Sequence, residues 1–376
     1  MGAYILRRLL LMIPTILGIM AISFVVVQFA PGGPIEQVVA SLRGEAGGAA
    51  DRVSGVSSDF GSSSASSQDS GYRGAQGLDP AFIKKLEQQF GFDKPPLERF
   101  ALMIWNYARF DFGESYFRSI GVWDLILEKM PVSISLGLWI TLLSYLISIP
   151  LGIRKALKDG STFDVWTSGI VIVAYAIPGF IFAVLLMVLF AGGSFLDWFP
   201  LRGLLSDGVS GAWCAPWSAK FDAGACITRT IPDYFWHLTL PLIALSLSAF
   251  ATTTLLTKNS FLDEIGKQYV TTARAKGLSE HRVLYGHVFR NAMLIIIAGF
   301  PGAFISAFFT GSLLIETIFS LDGLGYLGFD SIYKRDYPVV FATLYIFSLI
   351  GLLTTLISDL TYTWVDPRID FEKREV

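Results

Sequence analysis

His237, His281 and His287, Cys214 and Cys226, and Ser194 behind two glycines are the side chains whose types suit a base, a metal ligand or a nucleophile. Their spacing supports none of these chemistries. A zinc protease needs two histidines flanking a glutamate one helical turn apart, and no H-E-x-x-H occurs. A phosphate-binding loop needs G-x-x-x-x-G-K-[ST], but Phe261 stands where the glycine five residues before Gly266-Lys267 would be. No G-x-S-x-G elbow is present either, so Ser194 reads as part of an outer turn. The chain is therefore expected to have no catalytic residue, no bound metal, no cofactor of its own and no ATPase site. Cys214 and Cys226, twelve positions apart, fit no metal site. In an oxidising compartment they are expected to form a disulfide, with two free buried thiols as the alternative.

What remains is a polar island, Tyr269 to Glu280, between two long apolar stretches. Composition explains its setting. With 53% hydrophobic and 16% charged residues, the chain lies outside the range of soluble domains and reads as an all-α polytopic membrane protein. Six stretches are apolar over about 20 residues or more, enough to cross a bilayer as helices. They are Leu9 to Phe29, Val132 to Ile153, Trp166 to Ala191, Phe235 to Leu256, Ala292 to Ile315 and Val339 to Trp364. Arg7 and Arg8 place the amino terminus in the cytoplasm, and Arg154, Lys155 and Lys158 place the second connection there. Both termini are then cytoplasmic, and the basic residues of 258–291 put the island on the same side.

The resulting layout has an N-terminus and first span over 1–29, an outer segment over 30–131, a membrane core over 132–365 containing the 258–291 loop, and a tail over 366–376. Within the outer segment, 43–77 is rich in Gly, Ser and Ala and is expected to be a mobile loop. A helix is expected from Asp79-Pro80 to Gly91, followed by short amphipathic helices over 97–107 and 122–129 before Pro131 opens the second span. In the third span, Pro178 reads as a kink in a packing helix or as a bend lining a path. Asp359 would be costly in mid-bilayer and is expected near the cytosolic surface, paired with a basic loop residue. Glu316, at the outer end of the fifth span, could face a substrate's amino group or hold the Ser320 to Gly325 turn; the second role suits it better.

In the island, one short helix is expected from Leu262 to Lys276, with Ile265, Tyr269 and Ala273 on one face. Gly277 ends it in a left-handed conformation, and Ser279 caps a second short helix. Small Ala273 and Ala275 would let another protein's surface approach, while Arg274, Lys276 and Glu280 orient it. A pair of helices resting on lipid headgroups is the alternative.

Thr271, Thr272 and Ala273, followed by Arg274, Ala275, Lys276, Gly277, Leu278, Ser279 and Glu280, resemble the loop of ABC importer permeases in the form carried by dipeptide and oligopeptide permeases. Further stretches resemble the same family: Arg7-Arg8, Ala30 to Pro34, Tyr175 to Pro178, Arg290-Asn291-Ala292, Gly323-Leu324-Gly325, Arg335 to Pro338 and Asp366-Pro367-Arg368. Tyr72-Arg73-Gly74, Gly91 to Pro95 and Thr257 to Glu264 are most similar to its Yej-type branch, which is associated with oligopeptides and the peptide-nucleotide antibiotic microcin C. The resemblance implies a type I importer in the bacterial inner membrane. This chain would pair with a second homologous permease, receive peptide from a periplasmic binding protein, and rest on cytoplasmic ATPase domains that bind ATP and Mg; no nucleic-acid partner is expected. A passive peptide channel and an intramembrane enzyme are the competing classes.

Overall fold

The computed structural model describes residues 2–29, 93–118, 120–193, 195–216, 218–309 and 312–365. The expected loop at 43–77, the helix after Asp79, Ser194 and the 366–376 tail lie outside them. Among the described residues there is no strand, and Glu114 and Gly121 form a single antiparallel bridge. Among the described residues, three helices are long and apolar enough to cross a membrane unbroken: α1 (Gly2–Phe29), α3 (Val122–Leu157) and α13 (Tyr337–Val365). Three bent pairs pass the same test, giving six spans when each pair counts as one. They are α4 (Thr162–Ala176) with α5 (Gly179–Phe190), Ala223–Leu247 with Ala249–Ile265, which meet at a 47° bend within α6 (Ile231–Ile265), and the run Glu280–Ala292 continued by α10 (Leu294–Phe309).

Several boundaries differ from the sequence expectation. Helix α3 runs through Pro131 instead of starting there, because a proline early in a membrane helix leaves only one carbonyl, four residues back, without its amide partner. The third span is broken rather than kinked, with a 93° angle between α4 and α5. Ile177 is extended (φ −83°, ψ 119°) because the proline ring that follows disfavours helical backbone in the preceding residue. Pro178 then caps α5, which begins at Gly179. The short helix α2 (Pro96–Tyr107) agrees with the expected 97–107 to within one residue.

Two compact units divide the chain. One comprises Leu11–Leu127 and Gly328–Ser348. Here α2, the loop after it, the start of α3 and the start of α13 share aromatic contacts, with Tyr107, Phe112, Trp123 and Tyr345 packed at centroid separations of 4.9 to 6.0 Å. Ser115 Oγ and the Tyr116 amide both donate to the Asp336 carboxylate, at 2.5 and 3.0 Å, and fix the loop to the residue preceding α13.

The other unit comprises Met1–Leu10, Glu128–Leu327 and Leu349–Val376. It is organised along α3 and α6, which share an apolar core at each end. Leu136 and Ile140 of α3 join Leu238, Leu242 and Ala244 of α6 with Ala183 and Leu186 of α5 in one core. Ile153 and Ala156 of α3 join Phe261 of α6 in the second. Between the cores, Ser144, Ser148 and Gly152, spaced by one turn, form a close seam with α6. Ser148 Oγ donates to the Phe250 carbonyl at 3.0 Å. A Cβ on Gly152 would lie 2.6 Å from Thr257 Cβ, so only glycine permits this approach. Ser148 also explains why the buried Thr254 hydroxyl lacks a partner: the carbonyl one turn behind it, Phe250, is already engaged.

Candidate functional site

The polar island folds as two short helices standing on the second core. Helix α6 stops at Ile265, and α7 (Gln268–Ala275) begins after Gly266 and an extended Lys267. The single helix expected from Leu262 to Lys276 is therefore two helices, and the break resets which residues share a face. Val270 and Ala273 turn inward and are buried with Phe261, Val283, Leu284, Val288 and Ala292, with Ile265, Tyr269 and Leu278 packed around them. Ala273 is thus not a contact surface for a partner; its small side chain lets α7 lie close to its own core. Thr271, Thr272, Ala275 and Lys276 remain exposed.

The turn between the helices follows the sequence expectation at its centre. Gly277 has φ +78°, a left-handed backbone that side chains with a Cβ adopt at a cost. Its amide donates to the Arg274 carbonyl at 2.9 Å, and the Leu278 amide donates to Ala273 at 3.4 Å, the usual closure of a glycine-terminated helix. Ser279 is extended and precedes α8 (Glu280–Val283), although its side chain makes no capping bond. Arg274 and Glu280, expected to orient a partner, instead pair with each other through two bonds of 2.9 and 3.1 Å. They brace the turn. At the other end of α7, Tyr269 donates to Glu264 at 2.7 Å, and Lys267 pairs with the same carboxylate. Burial and that bond push the Tyr269 phenol above its usual range, so it remains a neutral donor at physiological pH. Beyond α8 the chain passes through a wide turn at Leu284–Val288 into α9 (Phe289–Ala292), where Ser260 of α6 bonds the Ala292 carbonyl at 2.6 Å.

The sequence did not single out the charged cluster beside this element. Lys155, at the end of α3, is fully buried. Its ammonium donates to Thr167 Oγ1 and Ser168 Oγ, each at 2.8 Å, and to the Asp164 carbonyl at 3.0 Å, and it pairs with the Asp164 carboxylate at 3.0 Å. The second oxygen of Asp164 lies 2.7 Å from Lys258 of α6, which also reaches Asp159 at 2.8 Å. In the sequence these lysines register only as charge bias at the ends of apolar stretches.

The other candidate residues lie apart from α7. Glu316, in α11 (Ser312–Ile318), is fully buried, and its carboxylate accepts from Ser133 Oγ at 3.1 Å and from the Tyr326 amide at 2.7 Å. It caps the turn leading into α12 (Leu324–Lys334), the second of its two expected roles. A Cβ on Gly323 would lie 2.6 Å from both the Glu316 carboxyl carbon and one of its oxygens. Gly323→Ala should therefore lower stability by about 1–3 kcal/mol, read as a fall in unfolding midpoint of the purified protein. Asp359 accepts from Tyr4 at 2.8 Å and pairs with Arg8 at 3.1 Å, so its basic partner comes from α1 rather than from a loop. Cys214 and Cys226 are joined, with Cα atoms 4.9 Å apart. His237 is a structural side chain: one ring nitrogen lies 2.9 Å from the Gly203 carbonyl and the other 3.1 Å from Ser206 Oγ, pinning the loop at 203–206 to α6.

Comparison with known proteins agrees with this helical membrane architecture. Residues 148–371 match the family model described as the binding-protein-dependent transport system inner membrane component. The chain is 70% identical over 377 residues, covering 100% of both chains, to the peptidoglycan transport system permease protein YejB of Agrobacterium fabrum. It is 56% identical over 381 residues, again with 100% of both covered, to the inner membrane ABC transporter permease protein YejB of Escherichia coli O157:H7. Identity is 32% to the oligopeptide transport system permease protein AppB of Bacillus subtilis, with 99% of this chain and 100% of that one covered.

Proposed function

The chain belongs to the family of binding-protein-dependent transport system inner membrane components, and from that premise we propose that it carries peptides inward across the bacterial inner membrane under the control of ATPase partners. It is a permease subunit of an ABC importer. Its cargo in this proposal is oligopeptides, including peptide-nucleotide conjugates such as microcin C. A binding protein delivers the peptide outside, a second homologous permease completes the path, and both termini and the 258–291 loop face the cytoplasm.

The observation that carries the coupling role is the seating of α7. Its buried side, Val270 and Ala273, is continuous with the inner core of α3 and α6, while Thr271, Thr272, Ala275 and Lys276 face outward. A push on the exposed side is delivered directly to two spans, because packed cores move as units rather than deforming smoothly. ATP and Mg are bound by the partner ATPases, and this chain contributes the surface they push. Purification of the tagged chain from native membranes in mild detergent tests the assignment. Co-purification of a second permease and an ATPase, with ATP hydrolysis stimulated by peptide-loaded binding protein, is the expected result. Recovery of the chain alone, under conditions that hold a known importer together, would overturn it.

A further inference from the structure

Motion of α7 reaches α3 and α6 through the inner core, and α4 receives it from both: from α3 through the Lys155 bonds and from α6 through packing and through Lys258. Neither of the two apolar cores takes a side chain from α4. It packs along α6 and is separated from α5 by the 93° break at Pro178. The charged bond from Lys258 to Asp164 joins α6 to α4: Lys258 belongs to α6, eight residues before the capping Gly266, and Asp164 lies in the first turn of α4. Eight residues correspond to roughly 12 Å of helix, so Lys258 sits two turns from the start of the coupling element.

Local charge balance does not require Lys258. Lys155 and Asp164 already form a neutral pair, and the Lys155 ammonium has the Asp164 carboxylate, the Asp164 carbonyl, Thr167 and Ser168 as acceptors. The Asp164 oxygen facing Lys258 also accepts from the Gly160 amide at 3.2 Å. Asp159, the second partner of Lys258, is half exposed and can be solvated by water. Lys258 therefore adds a bond between two spans to a site that is complete without it.

We propose that Lys258 is a positioning residue for transport, a strut through which inward and outward movement of α6 carries α4, with the Pro178 break as the hinge that lets α4 move while α5 stays in the outer core. This rests on the coupling role given to α7 above. Without the strut, the first turn of α4 stays tied to α3 through Lys155 but loses its charged tie to α6, so α4 follows the movement of α6 incompletely and less peptide moves per nucleotide consumed.

The test uses the complete transporter in proteoliposomes, with this chain, its partner permease, the ATPases and the binding protein, and a radiolabelled tripeptide as cargo. Lys258→Met should assemble normally and transport roughly fivefold less peptide, or lower still, per ATP hydrolysed, the lower end of usual coupling energies. Lys258→Arg, which keeps a donor of similar reach, should restore most of the ratio. A spin label replacing Trp166, a 74% exposed residue of α4, should shift on ATP binding in the parent protein and shift less in Lys258→Met. A normal ratio with a normal label shift in Lys258→Met overturns the strut. So does failure of both Lys258→Met and the uncharged polar replacement Lys258→Gln to assemble, since the residue would then be structural. Gly277→Val in the same assay separates the two ideas. If that variant transports normally, the coupling role of α7 is wrong; if it uncouples while Lys258→Met does not, only the strut is wrong.

Discussion

Replacing Gly277 with valine should leave the chain inserted in the membrane at normal amounts while peptide transport falls by about tenfold or more at unchanged ATPase content. The physical cause is local. At φ +78° a β-branched side chain costs on the order of 1–2 kcal/mol, even though no atom lies within 4 Å of the added Cβ. With no clash to relieve, the cost is conformational, and the turn escapes it by changing its backbone. That change separates Arg274 from Glu280 and tilts α7 relative to α8, while Val270 and Ala273 hold the helix on its core. On the proposed coupling role, the exposed face would then meet the ATPase at the wrong angle, and about 1.4 kcal/mol of lost coupling corresponds to a factor of ten. Gly277→Asn is the control, because asparagine tolerates left-handed backbone far better than valine. Uptake of labelled peptide into vesicles should therefore rank glycine first, asparagine next and valine last. Equal uptake by the asparagine and valine variants would remove backbone conformation as the cause.

The contrast between what the sequence revealed and what it hid follows the range of the interactions. Six apolar stretches were legible because a bilayer demands about 20 apolar residues from any helix that crosses it. Gly277 was legible because the end of a helix is a local event, written in the residues that make it. The face of α7 was not. An unbroken helix from Leu262 puts Ala273 in line with Ile265 and Tyr269, but the stop at Gly266 starts a new helix, whose buried side is set by Val270 and Ala273 against Phe261 and Val283. Pro178 was visible as a disturbance, yet its size depended on Ile177 and Gly179 on either side. Asp359 announced its need for a cation, but Arg8 is 351 positions earlier in the chain and no periodicity connects them. The same holds for Asp164 and Lys258, 94 positions apart.

Removing the Asp164 carboxylate should produce the largest loss of stability among single substitutions in this cluster. In Asp164→Ala the Lys155 ammonium remains fully buried with two hydroxyls and a carbonyl but no counter-charge. Breaking one partner of a buried pair typically costs about 3–5 kcal/mol, because the remaining charge has lost both its pair and its water. Replacing both partners together, as Lys155→Met with Asp164→Leu, removes the buried charge as well and should recover most of that loss. Reversible unfolding in mixed detergent micelles measures both variants on one scale. A loss below about 1 kcal/mol in Asp164→Ala would mean that water reaches Lys155 and that the pair is a surface one in energetic terms. Combined with the transport assay, the double variant carries a second consequence. It has a stable apolar junction between α3 and α4 but offers Lys258 no carboxylate on α4. It should therefore fold well and still transport poorly per ATP, an outcome that stability alone does not produce.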